Sequence, residues 1–309
     1  MARRELPPAA LVVAAAVAAA LPDGDVVVGC SGGADSLALA LGAAWAARRA
    51  GTRADILVID HGLQPGSAEV ADGVVARLAT AGVAASSRRV EVRPGAGGVE
   101  AAARDARLAA LAEPGLPVLL GHTQDDQAET VLLGLLRGSG TRSLAGMAAV
   151  RGPFHRPLLG LRRADTEAAC RAWGVDWWAD PMNDDPAFAR VRARRALATL
   201  SAGLGRDVAP ALARTARLAR ADADLLDTLA DEAARSTPDG ALRVDDLRGL
   251  PDALRWRVLR SWLRAAGLEP AFEGVLAVDT LVTAWRGQGP IAVPGGGVRR
   301  ADGQLRLIR

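Results

Sequence analysis

The chain has 309 residues, enough for two domains, and half of them are hydrophobic, so a sizeable core can form. Its two cysteines are too few for a disulfide framework or a cysteine-based metal cluster, and this usage fits a protein of the reducing cytoplasm. The net charge is only +3 but is unevenly placed. Residues 137–163 carry six arginines and no acid, and residues 186–220 carry eight arginines and one acid. Such stretches suit a polyanion; a solvated arginine surface is the alternative.

The N-terminal segment 11–21 is an apolar run that follows Arg3 and Arg4 and resembles the core of a signal peptide. It is too short to cross a bilayer. Pro7 and Pro8 precede it, and proline is favoured at the first turn of a helix. We therefore expect a buried, alanine-rich helix and no association with a membrane.

The first half of the chain alternates strands with helices. Residues 25–30 form a continuous apolar run typical of a central strand in a parallel sheet, and a helix is predicted at 36–50. The further predicted elements are strand 55–60, helix 67–81, strand 86–92, helix 99–111, strand 117–120 and helix 125–136. Strands separated by helices imply right-handed crossovers. The predicted fold class is thus α/β, with a doubly wound, Rossmann-like parallel sheet that binds ligands beyond the carboxyl ends of its strands.

The pattern changes near residue 204, where helices begin to dominate. Helices are predicted at 208–234, 252–266 and 272–285. Two short strands are predicted at 291–293 and 304–308, joined through a glycine-rich turn region. We therefore expect one domain over residues 1–203 and a smaller, mostly helical domain over residues 204–309.

The loop after the first predicted strand is suited to phosphate. Two adjacent glycines allow backbone conformations that a strand forbids, and Ser36 can cap the next helix. Backbone N–H groups converge at such a turn, and the helix dipole adds positive potential. This predicts a phosphate cradle from Ser31, Gly32, Gly33, Ala34, Asp35 and Ser36. Asp35 is placed to bind a phosphate-bound Mg²⁺. The loop is not a Walker A motif, because that motif requires a lysine and the chain contains none.

Asp60, His61 and Gly62 follow the second predicted strand. An acid or a backbone group at this position commonly meets the ribose or base of a nucleotide. Alternatively, Asp60 caps the next turn and His61 packs beneath it. The sequence leaves both interpretations open.

Gly121 and His122 follow the fourth predicted strand, and three acids begin the next helix. Asp126 and Glu129 share a helix face, and Asp125 lies one turn before Glu129. Crowded carboxylates repel one another unless a cation intervenes, and Mg²⁺ or a substrate ammonium is such a cation. Helix capping explains one acid but not three. The segment therefore favours a ligand site.

The residues SGGADS at 31–36 resemble the signature of the PP-loop ATP pyrophosphatases, which cleave ATP between the α and β phosphates. Further motifs follow in the order DHGL, GHTQDDQAET, LRGSG, RPLL, DPMN and FARVRAR. This order is similar to that of the tRNA(Ile)-lysidine synthetases, over roughly residues 22–200. Two positions differ: Thr123 stands where the family often has a second histidine, and Val191 where it often has asparagine.

The resemblance implies a two-step reaction with ATP and Mg²⁺ as cofactors. ATP first adenylates the C2 carbonyl oxygen of the wobble cytidine in isoleucine tRNA with a CAU anticodon. The ε-amine of free lysine then attacks C2, and AMP leaves. The implied catalytic residues are Asp35, Asp125, Asp126, Glu129, Arg190 and Arg194. Asp35 and Asp126 are the implied metal ligands, but which acid serves the metal and which serves lysine is left open.

The same comparison implies the binding residues. ATP is expected to contact Ser31, Gly32, Gly33, Ala34, Asp35, Ser36, Asp60, His61, Gly62, Gly121 and His122. The tRNA is expected to contact Arg137, Arg156, Arg214, Arg217 and Arg220. The last three recur at helical spacing and can form one basic face.

Two other functions fit parts of the pattern. A different PP-loop enzyme, such as a tRNA thiolase, would need catalytic or cluster cysteines, and Cys30 and Cys170 do not form a CxxC pair. A nucleotide-binding module without catalysis would gain nothing from crowded carboxylates.

Overall fold

In a computed structural model, residues 6–63, 66–93, 98–138, 140–178, 185–235 and 240–308 are described. The DPMN motif and most of the predicted loop at 94–98 lie outside these residues. The chain divides into two compact units, one from Met1–Arg137 with Gly146–Ala216, the other from Gly138–Ala145 with Arg217–Arg309. The division falls at residue 216 and not at the predicted 203, and it assigns a short internal segment to the second unit.

The first unit is built on a six-stranded sheet, which confirms the predicted fold class. Its strands are β1 (Val26–Cys30), β2 (Ala54–Asp60), β3 (Ala85–Arg89), β4 (Val118–Leu119), β5 (Val150–Arg151) and β6 (Phe154–His155). Their spatial order is β3-β2-β1-β4-β6-β5. All neighbouring pairs are parallel except β5 with β6. The valines of β1 are buried on both faces, as expected of a central strand covered by helices.

Twelve helices are described along the chain. They are α1 (Pro8–Ala19), α2 (Ala34–Ala50), α3 (Ser67–Thr80), α4 (Gly98–Ala112), α5 (Gln124–Leu136), α6 (Thr141–Leu144), α7 (Arg163–Trp173), α8 (Ala189–Leu204), α9 (Ala209–Arg235), α10 (Val244–Arg248), α11 (Asp252–Ala265) and α12 (Phe272–Thr283). The predicted N-terminal helix is confirmed as α1, which has a proline in its first turn. Val13 and Val17 of α1 are fully buried against α2, where Gly42 leaves room for them. No described helix is long and apolar enough to span a membrane.

The second unit contains a four-stranded antiparallel sheet beside its helices. The strands are β7 (Leu242–Arg243), β8 (Ile291–Val293), β9 (Gly296–Ala301) and β10 (Gln304–Ile308), in the spatial order β7-β10-β9-β8. Strand β9 lies where the sequence predicted a glycine-rich turn, so this part of the prediction is wrong. A Cβ at Gly297 would stand 3.0 Å from Ile308 and 3.1 Å from the Ile291 carbonyl oxygen. Glycine is therefore required here for close packing between strands.

A charged network fixes the segment 138–145 within the second unit. Arg142, on the short helix α6, forms ion pairs with Asp224 and Asp227 of α9. Arg257 of α11 pairs with Asp227 at 2.9 Å and donates to the Thr141 hydroxyl. The chain therefore leaves the first unit directly after α5 and returns to it at residue 146.

Candidate active site

The loop after β1 forms the turn that the sequence predicted, but Ser36 is not the helix cap. Gly33 is the N-cap of α2, and Ser36 lies in the first helical turn. Its hydroxyl donates to the Gly33 carbonyl at 3.0 Å and accepts from the Ser31 backbone N–H at 3.1 Å. Ser36 thus holds the loop in shape from within. The first N–H groups of α2 have no intrahelical partner, as at any helix start, and are available for an anion.

Two glycines bring this loop close to its neighbours. Gly32 has φ +86°, which favours glycine, and a Cβ there would overlap Val74 of α3. A Cβ at Gly121 would stand 3.0 Å from the carbonyl oxygen of Asp35. The chain leaving β4 is therefore in close contact with the start of α2, and this contact joins the phosphate loop to the acidic helix α5.

Helix α5 begins one residue earlier than predicted, with Thr123 as its N-cap. The fully buried Thr123 donates to Oδ2 of Asp126 through its backbone N–H at 2.8 Å and its hydroxyl at 3.1 Å. The position that differs from the family pattern therefore orients an acid of the site. The other such position, Val191, is only 5 % exposed and packs in the interior.

Each of the acids near the loop pairs with an arginine. Arg163 donates from Nε to Oδ2 of Asp35 and from Nη2 to Oδ1 of Asp126, both at 3.1 Å. Arg194 donates to Oε1 of Glu129 at 2.7 Å. The cations that the crowded carboxylates required are thus arginines of the chain itself.

Asp125 differs from Asp35 and Asp126 because one guanidinium binds both of its oxygens. It accepts two hydrogen bonds from the Arg162 guanidinium, at 3.0 and 2.6 Å, and one from the Arg163 backbone N–H at 2.8 Å. Arg162 also pairs with Asp207. Burial alone would raise the pKa of Asp125, but these hydrogen bonds and the two arginine charges lower it. Asp125 therefore anchors the start of α7 to α5.

Asp35 and Glu129 have the opposite electrostatic balance. Burial raises the pKa of Asp35 more than Arg163 and Thr166 lower it. Burial likewise raises the pKa of Glu129 above its usual value despite the Arg194 partner. Glu129 is 1 % exposed, and its Oε2 has no hydrogen-bond partner among the described residues. A buried carboxylate oxygen without a donor marks a place where a ligand can bind.

The other side of the site is electropositive. Burial lowers the pKa of His122 to about 3 against the opposing charge of Asp126, and Arg156, Arg190 and Arg107 act in the same direction as burial. Burial, with Arg107 nearby, also lowers the pKa of His61. Both histidines are therefore neutral at physiological pH. Within the described part of the chain, His61 Nδ1, His122 Nδ1 and Arg107 Nε are buried without a hydrogen-bond partner.

A cavity of about 470 Å³ opens at the carboxyl ends of β2 and β3. It is lined by His61, Gly62, Leu63, Arg89, Val90, Glu91 and Val92. Asp60 does not face it freely: the residue is 6 % exposed and accepts from the Gly62 backbone N–H at 2.8 Å. Its carboxylate therefore stabilises the turn after β2 and leaves the backbone and His61 to line the cavity.

The arginines expected at a tRNA surface are placed differently from one another. Arg137, Arg214 and Arg217 are exposed. Arg156 is only 8 % exposed and donates to the Ala148 carbonyl oxygen, so it supports the start of the β5–β6 hairpin. Arg220 donates to the Ala145 carbonyl and lies 3.9 Å from Asp224. The three arginines of α9 therefore do not form one free basic face.

The residues fit Mg²⁺ only in part. Within the described ranges, no three His, Cys, Asp or Glu side chains come together as a metal-binding group. Asp35 and Asp126 are nevertheless both bound by one guanidinium, so one cation can reach both. Mg²⁺ is commonly held by one or two carboxylates together with phosphates and water, and this pair satisfies that requirement.

The sequence did not identify Arg107, Arg162, Arg163 or Thr166 as site residues. Arg162 and Arg163 end the acid-free stretch 137–163, whose charge favours a polyanion. The crowded acids indicate that cations lie near them, but sequence spacing does not show which arginine pairs with which acid.

The chain is similar to known proteins over most of its length. Residues 11–200 match the family model of the PP-loop domain, and residues 242–306 match that of the TilS substrate binding domain. A tRNA(Ile)-lysidine synthase of Nocardia farcinica is 52 % identical over 92 % of this chain and 92 % of its own. That of Thermobifida fusca is 50 % identical over 97 % of each chain. The chain belongs to the tRNA(Ile)-lysidine synthase family.

Membership confirms the resemblance seen in the motifs and makes the protein an ATP-dependent ligase that forms a C–N bond. Among solved structures, a U34-tRNA thiolase from Methanococcus maripaludis is similar, with a TM-score of 0.55 and 16 % identity over 69 % of this chain and 80 % of that one. At this identity the likeness shows the fold alone.

Proposed function

We propose that the protein converts the wobble cytidine of CAU-anticodon isoleucine tRNA to lysidine, using ATP and free lysine. The observation that carries the proposal is the position of Arg163, which joins the acid of the phosphate loop to an acid of α5. The nucleotide-binding and acceptor sides of the reaction are thereby adjacent within one domain. We propose catalysis for the first unit and tRNA binding for the second, with the limits that the structure gives them in place of 203 and 204.

ATP is proposed to lie across the carboxyl end of the sheet. The cavity beside His61 and Gly62 has space for the adenosine, and we propose that the N–H groups at the start of α2 bind the phosphates. The proposed contacts continue to Ser31 and Ser36 on one side and to Gly121 and His122 on the other. Pyrophosphate leaves from the loop, so the α-phosphorus is the one attacked.

Asp35 and Asp126 would hold Mg²⁺ bound to the phosphates. When bound, the metal supplies positive charge that stabilises the leaving pyrophosphate. Arg190 and Arg107 lie close enough to affect the pKa of His122, so they are placed to stabilise charge on the α-phosphate. Neutral His122 adds a nearby polar nitrogen without adding repulsion toward these arginines.

The first step gives the cytosine ring a leaving group. The C2 oxygen attacks the α-phosphorus, and the bond from that phosphorus to the bridging oxygen breaks with release of pyrophosphate. In the second step the lysine ε-ammonium first gives a proton to Glu129, which is suited to accept it because burial raises its pKa. The neutral ε-amine then attacks C2, the C2–O bond breaks, AMP leaves with that oxygen, and the nitrogen loses its second proton to solvent.

The structure also favours one acid for lysine. The Arg162 guanidinium holds both oxygens of Asp125, so we remove this residue from the catalytic set. Glu129 has an oxygen without a partner among the described residues, and Arg194 holds its other oxygen. We propose that the lysine ammonium binds at Glu129, with Arg194 as the residue that positions the carboxylate.

Two of the arginines predicted at the tRNA surface are buried or already hydrogen-bonded. Arg156 is buried and Arg220 is engaged, so Arg137, Arg214 and Arg217 remain from the predicted set. In the second unit, Arg299 and Arg306 lie directly opposite each other on β9 and β10, and both are exposed. Like charges in this arrangement are unfavourable unless an anion binds them. We add this pair as contacts for tRNA phosphates.

Sulfur transfer is disfavoured by the cysteines. Burial raises the pKa of Cys30, and it raises the pKa of Cys170 to about 12. Both thiols are buried and remain protonated at physiological pH, so neither is a nucleophile. The cytoplasm is the proposed location, since ATP, tRNA and free lysine are available there.

Purified protein with ATP, Mg²⁺, labelled lysine and CAU-anticodon tRNA is expected to release AMP and pyrophosphate and to incorporate label into the tRNA. D35A is expected to lose turnover while it still binds tRNA. Pyrophosphate release without lysine transfer would indicate a different PP-loop enzyme. Absence of turnover with any nucleophile would indicate a binding module.

A further inference from the structure

Arg163 occupies the oxygens that a metal would need. Each of its two acidic partners has one carboxylate oxygen bound by a threonine: Thr166 donates to Oδ1 of Asp35, and Thr123 donates to Oδ2 of Asp126. The remaining oxygen of each carboxylate binds the guanidinium. The threonines therefore fix two carboxylates so that their other oxygens face one cation between them.

One cation at a time fits this position. Arg163 contacts each carboxylate through a single N–H group, whereas paired parallel N–H···O bonds to one carboxylate are the strong arrangement. Two cations within contact distance of each other repel strongly inside a protein. A metal that binds Asp35 and Asp126 must therefore displace the guanidinium.

The backbone of Arg163 is held, whereas its side chain is partly exposed. Its backbone N–H donates to Asp125 at 2.8 Å, which fixes the first residue of α7. The side chain is 28 % exposed, more than that of Asp35 or Asp126, so it has open space on one side. The oxygen of Glu129 without a partner lies in the same acidic group, which independently indicates that the group receives a ligand.

We propose that Arg163 is an internal counter-ion that exchanges with the metal. Before nucleotide binds, it holds Asp35 and Asp126 together. When Mg²⁺ and ATP bind, it releases both carboxylates to the metal and turns toward the phosphate oxygens. Arg163 is thus a positioning residue that keeps the metal site closed in the absence of nucleotide. This inference rests on the proposed use of ATP and Mg²⁺ and deepens it.

The neighbouring arginine offers a matched control. Arg162 and Arg163 are adjacent, both partly buried, and each binds an acid of α5. Arg162 makes two hydrogen bonds to Asp125 and a further ion pair to Asp207, away from the proposed metal ligands. Removal of either arginine deletes one positive charge, but only removal of Arg163 frees Asp35 and Asp126.

The test measures Mn²⁺ binding by electron paramagnetic resonance without tRNA or lysine, in wild type, R163M and R162M. Without nucleotide, R163M is expected to bind Mn²⁺ about tenfold more tightly than wild type, because two carboxylates lose their internal cation. R162M is expected to bind it as wild type does. With ATP present, R163M is expected to bind the nucleotide more weakly, because the phosphates lose an arginine.

Equal Mn²⁺ affinity in folded R163M and wild type would overturn the inference and make Arg163 a structural bridge. An equal gain in R162M would attribute the effect to general charge and would also overturn it. If R163M does not fold, R163Q removes the charge and keeps a hydrogen-bond donor. Failure of wild type to bind ATP with Mn²⁺ would instead contradict the proposed function.

Discussion

Thr123 holds Asp126 by two hydrogen bonds to the same carboxylate oxygen, one from its backbone N–H and one from its hydroxyl. This relationship directs Oδ1 of Asp126 toward Arg163. It gives a structural role to the threonine, which departs from the family pattern described above. The hydroxyl is small enough to be buried and polar enough to bind the Asp126 carboxylate.

T123V tests this arrangement, because it removes the hydroxyl and nearly conserves the volume. The expected loss is about 1 kcal/mol in the free energy of unfolding, as for other helix caps. The adenylation rate is expected to fall about tenfold, since Asp126 is less well oriented. Urea denaturation and pyrophosphate release measure the two effects. T123S should keep most of both properties, and a T123V protein equal to wild type would contradict the role.

E129Q tests the proposed lysine site. The amide replaces the oxygen that lacks a partner with a group that attracts an ammonium weakly, and it also weakens the pair with Arg194. The KM for lysine is expected to rise about tenfold or more, the usual effect of losing a hydrogen bond to a charged group. ATP binding is expected to change little.

A suitable comparison is E167Q, at a partly exposed acid of α7 that pairs with Arg171. Its KM for lysine should equal that of wild type. If E129Q raised the KM for ATP and left that for lysine unchanged, the assignment of Glu129 to lysine would be wrong.

His122 makes stability depend on pH. Its pKa is about 3 in the folded protein and about 6.5 in the unfolded chain, so the unfolded chain binds one more proton between these values. The contribution of His122 to the free energy of unfolding is therefore fully present above about pH 6.5. It falls by about 1.4 kcal/mol per pH unit as the pH drops toward about 3. H122Q should lose this contribution. Chemical denaturation gives the free energy of unfolding at about pH 7 and at about pH 5. The difference between these two values should be about 2 kcal/mol smaller in H122Q than in wild type. The same difference in both proteins would refute the prediction.

Removal of either facing arginine on β9 and β10 should weaken tRNA binding but stabilise the protein. R299T and R306T are each expected to weaken tRNA binding and to reduce the slope of log Kd against log salt by about 1. Without tRNA, either change should stabilise the protein by about 0.2–1 kcal/mol, because a like-charge pair is relieved.

Filter binding across a salt series and thermal unfolding provide the two measurements. R248A removes an exposed arginine of the same unit that lies 3.6 Å from Asp245, and it should leave the slope unchanged. A slope insensitive to Arg299 and Arg306 would remove the β9–β10 surface from the proposal.

The sequence predicted most elements of the first unit because β1 and β2 are apolar runs and the loops are rich in glycine and polar residues. It also located the loop after β1 and the acids of α5, since both follow strands that end at the same edge. It misplaced the cap of α2 because Ser36 is a good capping residue by type. In the structure that hydroxyl is used inside the first turn, on Gly33 and Ser31.

Two other features depend on tertiary contacts and were not readable from spacing. Strand β9 has the composition of a turn, yet its glycines are needed for packing against β8 and β10. The partners of the acids come from Arg162, Arg163 and Arg194, which are distant in sequence. Charge composition showed that the arginines were numerous but not which of them neutralise the site.

The excursion of residues 138–145 limits how the protein can be shortened. Arg142 depends on Asp224 and Asp227, so a polypeptide ended at residue 216 would keep the arginine of α6 and lose both of its acidic partners. That orphaned segment would begin immediately after α5, the helix that carries Asp126 and Glu129. Truncation at residue 216 would therefore leave an unpaired arginine in the segment that follows α5, and a stable fragment of the first unit would have to replace or delete this excursion.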